Sequence, residues 1–201
     1  MRARVQGPTP RSIGNDEDRI RGREQAAGPL REVIAMRALV VYGTKRAGTF
    51  GIAEWIGDTL TEAGIQTDVR PADHRIHVSD YDAVIIGGAL YTGRWHRHAR
   101  RFVKRYADVL SGRPVWLFSS GPLDDSASTT EIPPVPQVRQ AMDRIGARGH
   151  ITFGGRLLPD AKGFPASAMA KKSAGDWRDP ARVRSWATGV AADLRGGGQA
   201  G

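Results

Sequence analysis

The chain has 201 residues, no cysteine and a formal net charge of +9, with 40% hydrophobic and 25% charged residues. That length allows one domain with a sizeable core, and the missing cysteine excludes disulfides and thiol chemistry. No stretch approaches the ~20 apolar residues of a membrane-spanning helix, so a cytoplasmic location is expected.

Residues 1–35 mix Arg, Gly, Pro, Asp and Glu with hardly any apolar periodicity, so a disordered leader is expected there, without the apolar segment of a signal peptide. Met36 stands directly before the first apolar run, which makes it the expected native start. The leader carries seven Arg against five acids, which leaves +7 on the rest.

"RALVVYG" (37–43) is a continuous apolar run, the pattern of a strand buried on both faces. Ile52, Trp55, Ile56, Leu60 and Ala63 follow at helical spacing, with Gly64 as the stop. "IQTDVRP" (65–71) reads as a short strand and "YDAVIIGGAL" (81–90) as a second buried one. Trp95, Phe102, Val103, Tyr106 and Leu110 then line one side of a predicted helix. Its other side carries Arg94, Arg97, Arg100, Arg101, Lys104 and Arg105 with no acid between them. "RPVWLFSSG" (113–121) is a strand, 122–136 a loop, "VRQAMDRIGARG" a helix, "HITFGGRL" (150–157) a strand, and 160–177 a surface excursion. The last helix, 180–195, has Asp179 to cap it and Pro180 for its first turn. A flexible tail is expected at 196–201.

Five alternations of strand and helix with short connections mean βαβ units. The expected fold is therefore an α/β domain over 36–195, a doubly wound five-stranded parallel sheet in strand order 2-1-3-4-5.

In such a sheet ligands bind at the carboxyl ends of the strands, and the first βα loop faces the unpaired N–H groups of the next helix. Here that loop is Gly43 followed by Thr44, Lys45, Arg46, Ala47, Gly48 and Thr49. Glycine admits close backbone approach, the threonines offer hydroxyls, and Lys45 and Arg46 supply charge, so phosphate is the expected ligand. Gly43 and Gly48 have the spacing of a Walker A loop, yet Thr49-Phe50 stands where Lys-Ser/Thr should be. The G-x-G-x-x-G dinucleotide pattern is also missing. A polar turn that merely caps a helix remains the bland alternative.

Two further strand ends complete a candidate rim. After the third strand come Ala89, Leu90, Tyr91, Thr92, Gly93 and Trp95. After the fourth come Ser119, Ser120, Gly121 and Asp124. A flavin mononucleotide needs a phosphate cradle, flat apolar walls and backbone groups near the ring's polar edge, and three loops in this order can supply them. Tyr91 and Trp95 serve either as ring walls or as ordinary core aromatics.

From Met36 onward the chain resembles flavodoxin-type proteins, and more narrowly the flavodoxin-like, menaquinone-dependent protoporphyrinogen oxidases. Thr44 and Thr49 match the ends of that branch's Thr-x-x-Gly-x-Thr phosphate loop, with Ala47 at its glycine position. "YDAVIIGGALYTGRWHRHARRF" resembles the branch's third strand, second flavin loop and basic helix. "TFGGRL" and "GDWRD" resemble its fifth strand and the start of its last helix. The resemblance covers about four-fifths of the chain, measured against a single-domain length. It implies FMN as cofactor, a protoporphyrinogen-like donor and a quinone acceptor. The basic helix would then face propionates or anionic lipid, the latter at the inner face of the cell membrane. The branch also has a long loop implicated in substrate access, for which 122–136 is the candidate.

Other constellations are weaker. His96 and His98, two apart on a helix, are expected to point to different sides and share no metal. His74 and His77 lack further ligands, and Asp124-Asp125 with Ser126 lacks a nucleophile elbow. The aromatics of the basic helix fall on its buried stripe, which argues against nucleic acid. No side chain is assigned as a catalytic acid or base. The readings left open beside an oxidoreductase are an electron carrier without its own substrate and a flavin-free interaction domain. The +9 charge opposes a carrier that docks on basic reductases.

Overall fold

The computed structural model describes residues 36–45, 47–161, 170 and 174–197. The expectations for the leader, for Arg46, for most of the 160–177 excursion and for the end of the tail lie outside these residues.

Strand β1 (Arg37–Gly43) is followed by α1 (Gly48–Glu62), β2 (Gln66–Pro71) and, after a 3-10 turn, β3 (Ala83–Tyr91). β4 (Arg94–Trp95) folds back on β3, and α2 (Arg97–Arg105) and α3 (Ala107–Ser111) precede β5 (Val115–Ser120). Then come α4 (Ser126–Thr129), α5 (Pro136–Ile145), β6 (Gly149–Phe153), β7 (Arg156–Leu157), β8 (Gly175–Asp176) and α6 (Pro180–Gly197). The main sheet runs β2-β1-β3-β5-β6, with all four of these pairings parallel, as expected for order 2-1-3-4-5. The middles of β1, β3 and β5 are apolar and buried because helices cover both of their faces.

One face packs Val40, Ile85 and Phe118 against Ile52, Ile56 and Leu60 of α1 and Val183, Ala187 and Val190 of α6. The other packs Leu39, Ile86 and Leu117 against Phe102 and Val103 of α2, Leu110 of α3 and Val138 of α5. The caps follow the sequence signals. Gly64 at φ 83° ends α1, with Ile65 N–H donating to Leu60 C=O at 3.0 Å. The Asp179 carboxylate accepts from the N–H groups of Ala181 and Arg182 at 2.9 and 3.1 Å.

Four local expectations change. The basic helix breaks at Tyr106, whose backbone (φ −110°, ψ 18°) separates α2 from α3. Trp95 belongs to β4 rather than to that helix. The segment 122–136 is not all loop, because α4 forms behind Asp124, which accepts from Ser126 N–H at 3.0 Å. Strand 150–157 stops at Phe153, and Arg156–Leu157 pair instead antiparallel with Gly175–Asp176.

Candidate functional site

Four connections meet at the carboxyl edge of the sheet. Lys45 N–H donates to the Tyr91 hydroxyl at 3.2 Å and its ammonium stands 5.9 Å from that ring, so the first and second loops are joined. Gly121 abuts Leu90, where a Cβ would come within 2.8 Å of the leucine Cβ, which joins the second and third. Gly155 N–H donates to Pro122 C=O at 2.7 Å and brings in the β6–β7 connection. Arg178 then closes the ring over α1: it donates to Gly48 C=O at 3.3 Å, lies 5.0 Å above the Trp55 ring and is held by Asp176 at 2.5 Å. That bond keeps the Asp176 carboxyl below the ordinary carboxylate range.

Ala47 is the N-cap of α1 and adopts the left-handed region, φ 54° and ψ −9°, with no side-chain cap bond. An L-alanine there is strained by roughly 1–2 kcal/mol, which explains why glycine suits the position. Ala47→Gly should raise the melting temperature by about 2–4 °C, the shift for a net gain near 1 kcal/mol in a chain of this size. A thermal melt that moves down would show that the unfolded-state entropy of glycine wins instead.

Ala47 has no side chain to cap α1, and the first N–H groups of a helix have no acceptor within it. Thr49 beside them is 1% exposed, and its hydroxyl has no hydrogen-bond partner. Arg156 packs its backbone against Gly48, and its guanidinium Nε lies 3.7 Å from Asp176. A left-handed cap, the start of α1, a buried unpartnered hydroxyl and Lys45 stand together as a candidate cradle for an anion.

At the second loop, Tyr91 is half-buried, while Thr92 and Gly93 turn with φ of 49° and 72°. Ala89 is buried and Leu90 half-buried beneath them. Trp95 is not a wall at the rim. It is 1% exposed, its indole N–H points at Phe118 C=O at 3.4 Å, and it fills the space above Gly88. At the third loop, Gly121 is half-buried and Asp124 exposed. Ser119 and Ser120 are buried; Ser119 Oγ lies 3.0 Å from His150 Nε2, and Ser120 Oγ donates to Gly154 C=O at 3.5 Å.

His96, read from sequence as a helix residue, is instead the N-cap of α2. Its Nδ1 accepts from His98 N–H at 3.4 Å, and its ring meets that of His98 edge-on at 4.8 Å rather than pointing away. Nδ1 as acceptor leaves the proton on Nε2, which is buried without a partner. His98 pairs with Asp73 at 3.4 Å, and no metal-holding group of His, Asp and Glu occurs among the described residues. Arg156, Arg178 and His96 were missed as site residues. The first two sit in "TFGGRL" and "GDWRD", whose resemblance was visible but whose return to α1 is a tertiary event.

Burial pushes both His96 and His150 down to about 4 from an ordinary 6.5. Between those values the unfolded chain binds protons that the folded chain refuses. Stability is therefore complete above pH 6.5 and falls as pH drops toward 4. Urea midpoints across that range should decline, and His150→Gln, which keeps a polar partner for Ser119, should flatten the decline. A wild-type midpoint that is level with pH would contradict this.

A doubly wound sheet with an anion cradle after β1 and an aromatic loop after β3 is the flavodoxin arrangement, and residues 39–169 match the family model described as "Flavodoxin domain". The chain belongs to that family. The protoporphyrinogen IX dehydrogenase [quinone] of Escherichia coli K12 is 34% identical over 87 residues, 42% of this chain and 48% of the relative. The chain thus spans about half the length of that curated relative. The bifunctional cytochrome P450/NADPH–P450 reductase of Bacillus cereus is 26% identical over 87% of this chain and 16% of its own. Among solved structures, a Streptococcus pneumoniae flavodoxin superposes with TM-score 0.54 at 18% identity, over 78% of this chain and 99% of that one. The rubredoxin:oxygen oxidoreductase of Desulfovibrio gigas gives 0.55 at 13%, over 82% of this chain and 37% of that one. These likenesses show the fold. Family membership points to FMN as the bound cofactor, and the unpartnered Thr49 hydroxyl under an uncapped helix start fits its phosphate.

Proposed function

We propose that this chain is an FMN-dependent oxidoreductase that takes reducing equivalents from a porphyrinogen-type donor and passes them to a quinone. The observation that carries the donor and acceptor is the 34% identical relative whose name specifies both. Bound FMN supplies the redox chemistry, accepting and releasing reducing equivalents at its ring. The chain's residues supply position. Thr44, Lys45, Gly48 and Thr49 hold the phosphate, with Ala47 setting the turn, and Arg46 adds charge. Tyr91, fixed by its bond to Lys45, would hold the ring together with the Leu90–Gly93 backbone and Gly121. Trp95, Ser119 and Ser120 support these loops from beneath. Arg94, paired with Tyr91 across the turn, offers an exposed cation to a donor's carboxylates.

The test is the absorption spectrum of the purified protein after FMN addition, followed by anaerobic turnover of protoporphyrinogen with a quinone. A flavin spectrum and porphyrin formation that needs the quinone are expected. A flavin spectrum without porphyrin formation would reduce the protein to an electron carrier, and no flavin binding would leave an interaction domain.

A further inference from the structure

After β6 the chain comes back to the start of α1, where two arginines share one carboxylate. Arg156 and Asp176 stand opposite each other in the β7–β8 pair, and Arg178 follows shortly after. Arg178 is fully engaged. Its Nε donates to the Asp176 carboxylate at 2.7 Å and its Nη2 at 2.5 Å, while Nη1 donates to Gly48 C=O at 3.3 Å. The side chain is 9% exposed and lies over the Trp55 ring. Gly51 admits it, because a Cβ there would fall 2.3 Å from Nη1. A fork of this kind neutralises the carboxylate and ties β8 to α1.

Arg156 is left over. Its one ion pair among the described residues is the approach of Nε to the same carboxylate at 3.7 Å, too long for a hydrogen bond. With 39% of the side chain exposed, such a pair contributes little to the fold. Two guanidiniums against one carboxylate leave a positive charge in excess. That charge is anchored at the start of α1. A Cβ on Gly48, the first residue of the helix, would lie 3.3 Å from Arg156 Cβ. Thr49, with its buried and unpartnered hydroxyl, comes next in the chain. A helix start, a hydroxyl without a partner and an unneutralised guanidinium therefore stand together, and each favours an anion.

We propose that Arg156 makes this chain select a phosphorylated flavin, its guanidinium turning from Asp176 to the terminal phosphate of the cofactor. Arg178 is the positioning residue beside it, holding Gly48 by its carbonyl. The proposal rests on the reading of this loop as the FMN phosphate site. Lys45 precedes α1 in the chain, whereas Arg156 reaches the helix from β7, so two separate parts of the fold converge on the phosphate. Asp176 keeps Arg178 when Arg156 leaves, so the exchange gives up one long ion pair and no hydrogen bond. A phosphomonoester carries a charge of about −1.5 to −2 at pH 7, which rewards an added cation. Riboflavin ends in a neutral hydroxyl at the same place and gains nothing comparable.

The experiment is titration of the full chain, freed of cofactor, with FMN and with riboflavin, followed by flavin fluorescence. Arg156→Gln should weaken FMN binding at least tenfold, the factor for about 1.4 kcal/mol. Riboflavin should bind wild type and Arg156→Gln alike, within twofold. Arg156→Lys, which keeps the charge and loses the fork, should fall between the two for FMN. Arg184→Gln removes the same charge beside Glu62 at the far end of α1, roughly 20 Å from Gly48 at about 1.5 Å per residue. That is well beyond the Debye length of ~8 Å at physiological ionic strength, so FMN affinity should change less than twofold. Melting curves without cofactor should match for wild type and Arg156→Gln, which shows that the variant is folded. If wild type binds FMN and Arg156→Gln binds it equally well, the cofactor reading stands and Arg156 has no part in it. Riboflavin weakened by the same factor as FMN, or equal loss in Arg184→Gln, would also overturn the proposal. A wild-type protein that binds neither flavin, or binds riboflavin as tightly as FMN, would remove the phosphate site itself and this proposal with it.

Discussion

Gly87→Ala is expected to destabilise the protein by about 3 kcal/mol, the upper end of the usual overpacking range. A Cβ on Gly87 would fall 1.9 Å from Phe118 Cζ and within 2.4 Å of both Cε atoms. Real Cβ atoms do not come so near, so the ring must move. Phe118 is fully buried, and its ring lies 6.1 Å from that of Phe153, which in turn stands 5.8 Å from that of Trp186 on α6. Displacing it disturbs the packing of α6 against the sheet, in an interior as dense as an organic crystal. For a chain of this size the melting temperature should fall by roughly 6–12 °C. Phe118→Leu alone should also destabilise, because it leaves a gap. Combined with Gly87→Ala it should cost clearly less than the sum, since the shorter side chain makes room for the new methyl. Strict additivity in that double-mutant cycle would show that the two sites do not meet.

The same glycine pair shows what the sequence could and could not convey. The buried strands were legible because their apolar runs are continuous, and the strand order followed from the alternation and the handedness of crossovers. Gly87 and Gly88 fall within the strand read over 81–90, but nothing local in the sequence says why glycine stands there. They accommodate Phe118 on one face and Trp95 on the other, across strands that only the folded sheet brings together. Trp95 illustrates the limit from the other side: its helical spacing with Phe102 is real, but its place is a hairpin buried beneath the rim. The proposed phosphate loop, Thr44 to Thr49, could be put forward from sequence because its chemistry is local. Arg178 could not, because it reaches Gly48 from 130 residues away.

Thr49→Val should move the stability of the protein in opposite directions with and without cofactor. Without FMN, the Thr49 hydroxyl is buried and unpartnered, an arrangement that typically costs about 1–3 kcal/mol. Valine keeps the shape and removes the polar atom, so the cofactor-free variant should be as stable as wild type or more so. In the proposed site that hydroxyl would donate to the charged FMN phosphate, a bond of about 1.5–3 kcal/mol. Its loss should weaken FMN binding at least tenfold, the factor that corresponds to about 1.4 kcal/mol. Ligand binding stabilises the folded state by RT ln(1 + [L]/Kd), about 2.7 kcal/mol at a hundredfold excess over Kd. The weaker variant forfeits about 1.4 kcal/mol of that gain at the same FMN concentration. Melting curves of the two proteins should therefore draw together or cross as FMN is added, and Thr49→Ser, which retains the hydroxyl, should follow wild type. A valine variant that binds FMN with unchanged affinity would place the phosphate elsewhere. One that is destabilised in the absence of FMN would mean that the hydroxyl already has a partner in the empty protein.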